Sequence, residues 1–232
     1  MMNPLYVLPV LLSNDIIKNV IPKKIFQTHQ YKYEELPKWF KQTSMSWINL
    51  NPGWEYIYHD AATREKYVKD ASPELYKIYG EIKKPHQADI WRYLIVKNEG
   101  GVYADMDSFC LVPMDYILDG LPEHIDLVST KTEAREHTNN ANFAAVQNSK
   151  VLNSCVDDII KANSIFLNKP DQQIIHSCFT DGVKNNPDIV SKTMKAGHGQ
   201  SYKTEFDQNI QRIDYYGQEM TYEEFLSNQN MI

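Results

Sequence analysis

The run ADIWRYLIVKNEGGVYADMD, residues 88–107, decides the fold. From Pro85 to Asn98 the apolar residues recur at helical spacing, with Ala88, Ile90, Trp91, Leu94 and Ile95 flanking two charged positions. Gly100 and Gly101 end that helix, as glycine does when the chain turns out of a last helical turn. Val102 to Asp107 then reads as a strand with an acidic end, and Phe109 to Val112 as another apolar strand stopped by Pro113. Helix, glycine turn and buried strand in succession are the signature of an α/β protein.

The flanks repeat the pattern. Lys23–Thr28, after Pro22, predicts a first strand. Leu36, Trp39, Phe40, Trp47 and Ile48 predict a helix over 35–50, closed by Asn51-Pro52-Gly53. Trp54 to Tyr58 predicts a second strand ending at His59-Asp60, and helices are expected over 61–70 and 73–82, the latter opened by Ser72-Pro73. Further strands are expected at 125–130 and 142–147, a long helix from Ser149 to about Leu167, and a turn at Phe179-Thr180-Asp181-Gly182. Beyond residue 180 the pattern weakens. Strands alternating with helices predict an α/β sandwich with a mostly parallel central sheet flanked by helices. At 232 residues one domain over 1–232 is expected.

Composition narrows the function. The chain carries 24 basic against 30 acidic residues, a net −6, which argues against a positive face for nucleic acid. Three widely spaced cysteines, with no C-x-x-C, exclude a disulfide framework and fit a reducing, cytoplasmic setting. The opening MMNPLYVLPVLL is short, broken by Pro4 and Pro9 and without a basic flank, so it reads as an extended segment packing on the domain. No run approaches the length of a transmembrane segment.

Asp105-Met106-Asp107 ends a predicted strand at the sheet edge where α/β proteins bind ligands. Two hard-oxygen side chains there can hold Mg²⁺ or Mn²⁺, which neutralises a diphosphate. Read blandly, the same residues are a solvated acidic turn. Asp89 and Arg92 stand at i and i+3, on one helix face, with Asp89 expected in the first turn. They read either as an ion pair or as a planar fork for a carboxylate, phosphate or ribose. No Ser-His-Asp or Cys-His arrangement is legible.

These residues carry a resemblance. The 88–107 run, IPKKIFQTH (21–29) and NPGWEYIYHD (51–60) are similar, in order and spacing, to family 32 glycosyltransferases. That family includes initiating mannosyltransferases and capsular polysaccharide transferases, and glucosylating toxins carry a related motif. Phe26 and His29 stand where the family has histidine and tryptophan, and Tyr31, Trp54 or Tyr58 could supply a ring instead. NNANFAAVQNSKVL (139–152) resembles a later family segment, with Asn142 the first counterpart of its asparagine and Asn140 the second. AGHGQSY (196–202) is similar to its C-terminal histidine-serine pattern.

The resemblance implies a GT-A-like nucleotide-binding sandwich. It also implies a retaining, metal-assisted transferase that uses a UDP- or GDP-sugar and a glycan, lipid-linked or protein acceptor. By position, Asp89, Arg92, Asp105 and Asp107 would be the catalytic set. Gln27, Thr28 and His29 would lie at the base end, Asp89, Arg92 and Asn142 near the sugar, Asp105 at ribose and sugar, and Ser201 at the diphosphate. Asp107 and His198 would hold Mn²⁺ or Mg²⁺. Two rivals use the same residues: a metal-dependent phosphohydrolase or nuclease, and a non-catalytic sugar-nucleotide or glycan-binding module.

Overall fold

Three strands that run the same way, β1 (Lys24–Thr28), β2 (Glu55–His59) and β3 (Gly101–Ala104), form the part of the sheet that presents the acidic motif. The computed structural model describes residues 20–110, 113–132, 138–165, 172–196, 202–204 and 209–212. Between β1 and β2 lie a 3-10 turn at Tyr33–Glu35 and α1 (Lys38–Leu50). Between β2 and β3 come α2 (Ala61–Ala71), α3 (Pro73–Tyr79) and α4 (Lys84–Glu99). After β3 follow β4 (Ser108–Phe109), α5 (Met114–Leu118), β5 (Leu127–Thr132), β6 (Thr138–Ala145), α6 (Lys150–Ile165) and α7 (Gln172–Asn185). β7 (Val190–Ala196), β8 (Tyr202–Thr204) and β9 (Asn209–Arg212) complete the described elements.

The nine strands are ordered β2-β1-β3-β6-β5-β7-β8-β9-β4. Within β2-β1-β3-β6-β5-β7, five of the six point one way and β6 alone runs against them. The expected α/β sandwich, mostly parallel at its centre, is therefore present.

Local chemistry explains the helix starts. Asp60 accepts from the backbone N–H of Thr63 at 2.7 Å and caps α2, and Ser72 does the same for Leu75 ahead of Pro73 in α3. At the end of α4, Gly100 has φ +63° and Gly101 φ +122°, a region that L side chains rarely adopt. Space forbids a side chain there as well. A Cβ on Gly100 would come within 2.6 Å of Pro22 and 2.8 Å of the Gln147 backbone nitrogen, and one on Gly101 within 2.7 Å of the Lys24 carbonyl.

Alternation along the strands splits the core between the two sheet faces. Phe26, Tyr103 and Phe143 pack with α4, α6 and α7, whereas Ile25, Val102, Val128 and Ala144 pack with Trp47 and Ile117. α4 is buried from Asp89 through Val96, because it lies between the sheet and helices α2, α6 and α7. A helix covered on all sides loses the amphipathic stripe of a surface helix.

Several boundaries differ from expectation. The helix expected over 35–50 is a 3-10 turn and then α1 from Lys38, since Pro37 holds an extended conformation between them. The second strand, expected to start at Trp54, starts at Glu55, and the helix expected to 82 ends at Tyr79. β5 and β6 run over 127–132 and 138–145 rather than 125–130 and 142–147. The strand expected at 109–112 is two residues long, its partner being the sequence-distant β9. The turn expected at 179–182 lies inside α7, where Gly182 packs its bare Cα close to Val151. The segment expected to pack at the N-terminus lies outside the described residues. Cys110, Cys155 and Cys178 are buried thiols. Among the described residues no helix is long and apolar enough to cross a membrane.

Candidate active site

The C-terminal ends of β1, β2 and β3 open on one edge of the sheet, and β6, running against them, delivers Asn140 and Asn142 to the same edge. β3 stops at Ala104, so the Asp105-Met106-Asp107 motif is a turn and not the end of a strand. Ser108 N donates to the Asp105 carbonyl at 3.0 Å and closes that turn. The same carbonyl accepts from Gln27 Nε2 at 3.1 Å, and Asp105 N donates to the Ala141 carbonyl at 2.8 Å. The Asp105 backbone is thus fixed from three sides. Met106 faces the interior, at 4% exposure, while Asp105 and Asp107 are part-exposed residues, Asp107 with its Oδ1 buried.

Arg92 organises the charges. Its Nη2 lies 3.2 Å from Asp89 Oδ1 and 3.2 Å from Asp105 Oδ1, and its Nη1 donates to the Asn140 carbonyl at 2.7 Å. The guanidinium stacks 4.4 Å from the centre of the Tyr103 ring. Tyr103 OH in turn donates to Asp105 Oδ1 at 2.6 Å. Burial opposes the Arg92 charge, but Asp105, Tyr103 and Asp89 outweigh it and hold the pKa above its ordinary value. Burial raises Tyr103 well above the usual phenol, so it stays a donor to the carboxylate. Arg92 Nε has no hydrogen-bond partner among the described residues.

The i, i+3 pairing expected for Asp89 and Arg92 is present, but the placement expected for Asp89 is not. Helix α4 begins at Lys84, so Asp89 lies in the second turn, where the helix dipole has faded. Its Oδ1 accepts from Asn140 Nδ2 at 3.0 Å, and Asn140 also donates to Tyr93 OH. Asn142, ranked first from the sequence, is buried elsewhere and donates to Ser108 Oγ at 3.1 Å. The reason is a register shift. β5 pairs Ser129 with Phe143 but Thr130 with Asn139, which leaves 140–142 as an irregularity in β6. Such a bulge re-aims side chains. It turns Asn140 to the α4 face shared by Phe143, where simple alternation would have put it beside Asn142.

The β1 residues expected at the base end are tied into the scaffold. Gln27 bridges Tyr56 OH, at 2.8 Å, to the Asp105 carbonyl. Thr28 Oγ1 donates to the His59 carbonyl at 2.7 Å and accepts from Arg64 Nη1 at 3.0 Å. His29 stands against Phe40 and Tyr31, with ring centres 4.5 and 5.1 Å away. Burial, with Arg64 as a lesser cause, lowers its pKa and keeps the ring neutral near pH 7. Tyr31 and Tyr58 stay near this end, Tyr58 OH donating to the Tyr31 carbonyl at 2.5 Å. Trp54 is at the opposite end of β2, donating to Asp115, and supplies no ring to this edge. His198 and Ser201 lie outside the described residues. Sequence reasoning overlooked Tyr103, although its position two residues before Asp105 places it on the helix-facing side of β3.

The edge thus carries an acidic D-x-D turn braced by a buried arginine. Residues 37–123 match the family described as glycosyltransferase sugar-binding region containing DXD motif. Over 100 residues the chain is 33% identical to mannosyl phosphorylinositol ceramide synthase SUR1 of Saccharomyces cerevisiae, covering 43% of this chain and 26% of that protein. It is 32% identical over 117 residues to inositol phosphoceramide mannosyltransferase 2 of Schizosaccharomyces pombe, covering 50% and 33%. It is 32% identical over 100 residues to the initiation-specific alpha-1,6-mannosyltransferase of Candida albicans, covering 40% and 26%. The chain thus spans about a quarter to a third of these relatives. Among solved structures, PaToxG glycosyltransferase superposes with a TM-score of 0.55 at 17% identity, covering 72% of this chain and 70% of that one. That likeness shows the fold, and the resemblance read from the sequence is borne out.

Proposed function

We propose that this chain is a metal-assisted glycosyltransferase that moves a sugar from a nucleoside diphosphate sugar to a glycan, lipid-linked or protein acceptor with retention. The observation that carries the reading is the Arg92 cluster. It joins Asp89, Asn140 and the first aspartate of the D-x-D turn at the ligand-binding edge of the sheet. The names of the three relatives speak of mannosyl transfer, which makes mannose the first sugar to test.

Asp107 offers hard oxygens at that edge, the donor chemistry that suits Mg²⁺ or Mn²⁺, and His198 is proposed to join it. Such an ion, when bound, supplies Lewis-acid neutralisation of the leaving diphosphate. The chain's own residues do the rest. Asp89 and Asp105, fixed by Arg92, orient sugar hydroxyls and oppose positive character at the anomeric carbon. The Nε–H of Arg92, buried and without a hydrogen-bond partner among the described residues, is left as a donor for a group that enters the cluster. The neutral ring of His29 suits contact with a flat base. Gln27 and Thr28 hold that end of β1 in place, Ser201 is proposed on the donor as the resemblance implies, and Asn140 is proposed near the sugar in place of the buried Asn142.

The test is a screen of UDP- and GDP-sugars, including a mannosyl donor, with Mn²⁺ and graded acceptors, scored by nucleotide release and product mass. Acceptor-dependent transfer with the anomeric configuration retained is expected. Hydrolysis of nucleoside diphosphates that carry no sugar, or binding without turnover of every donor, would overturn the reading.

A further inference from the structure

Behind the Arg92 cluster, two histidines converge on the second oxygen of Asp89. His86, one turn earlier on α4, has Nδ1 3.3 Å from Asp89 Oδ2. His176, on α7, has Nδ1 3.9 Å from the same oxygen. Their rings meet edge to face, with centres 4.6 Å apart at 73°. One ligand atom from each of the three residues lies within 4.8 Å of the other two.

Two imidazoles and one carboxylate are the donor set of a zinc-class cation, softer than the all-oxygen sets that suit magnesium. With metal–ligand bonds of about 2.0–2.1 Å, neighbouring ligands of a tetrahedron stand about 3.3 Å apart. His86 and Asp89 already have that separation. The His176 side chain is 52% exposed, and a side-chain rotation closes the remaining gap. Its exposure also leaves the fourth position to water. The carboxylate is pre-set for the role: Asn140 and Arg92 hold Oδ1, so Oδ2 faces the histidines. Outer contacts of this kind orient metal ligands.

We propose that His86, Asp89 and His176 form a binding site for a zinc-class divalent cation, separate from the D-x-D turn, that clamps α4 to α7. The site shares Asp89 with the proposed donor site, but its two histidines lie outside that site and its readout is metal binding, not donor turnover.

The experiment uses the full chain carrying Asp107→Asn, which removes a charge from the D-x-D turn, titrated with Co²⁺ as a spectroscopic probe. One equivalent should bind with the visible bands of a tetrahedral nitrogen-oxygen site, and Zn²⁺ should displace it. Zn²⁺ should also raise the melting temperature, as any ligand confined to the native state does. Adding His176→Ala, a half-exposed residue whose loss spares the core, should weaken Co²⁺ binding by at least about tenfold. It should also abolish the Zn²⁺-induced rise. His86→Gln, tested separately, should do the same. Equal Co²⁺ affinity with and without His176, or no saturable binding in the parent, means that the histidines only pair with Asp89 and overturns the proposal.

Discussion

Arg92 Nη2 stands 3.2 Å from Asp105 Oδ1, so a buried helix and the acidic turn share one charged contact. The expected consequence is mechanical as much as catalytic. Arg92→Lys keeps the charge but loses the fork that reaches Asp89, Asp105 and the Asn140 carbonyl together. Stability should fall by about 1–3 kcal/mol without any ligand, read by urea unfolding. Donor turnover should fall as well. A variant that unfolds like the parent means that the three contacts do not hold the turn.

Asp107→Asn should act differently. The residue lies within the turn that Gln27 and Ser108 hold by the Asp105 backbone, so the fold should survive its neutralisation. Mn²⁺-dependent nucleotide binding and donor turnover should be lost. Unchanged turnover with unchanged melting would reduce the D-x-D motif to a structural turn.

Asp60 gives a prediction in pH. Its carboxylate accepts from the backbone and side chain of Thr63, and these bonds hold its pKa below the usual carboxylate value. A depressed folded pKa means that the stabilisation is present above the unfolded value, about pH 4, and is lost as pH falls through the folded one. Asp60→Ala should therefore cost about 1 kcal/mol at pH 7. The gap to the parent should close on acidification below pH ~4, as protonation removes the cap. A gap that is constant from neutral to acid pH would mean that the charge is irrelevant.

Two glycines should respond oppositely to alanine. At Gly101 the positive φ and the Lys24 carbonyl, 2.7 Å from an added Cβ, predict a loss well above about 1 kcal/mol. At Gly80, φ is −72° and nothing lies within 4 Å of an added Cβ, so alanine should be neutral or slightly stabilising. Comparable denaturation midpoints for the two variants would contradict this contrast.

Much of this was legible in the sequence because local rules and tertiary packing agree there. The glycine pair, the Ser72-Pro73 start and the alternating Ile25/Phe26 and Val102/Tyr103 positions each say the same thing locally and in the fold. What escaped depended on distant partners. β4 exists through β9, about a hundred residues later, and His176 meets His86 only because α7 packs against α4. Asn140 was ranked behind Asn142 because period-two alternation carries no sign of a register shift set by β5.

That shift makes the aim of Asn140 a matter of chain length rather than of side-chain chemistry. Asn142 stays opposite Ala104 on β3, while the residues just before it take up slack against β5. Deleting one residue between Thr138 and Asn140 leaves the asparagine where it is. Deleting Ala141 puts Asn140 directly before Asn142, where simple alternation by itself turns the amide to the α4 face, toward Asp89. One residue lost at this spot thus exchanges the irregularity for a regular strand, with the asparagine still aimed at the cluster.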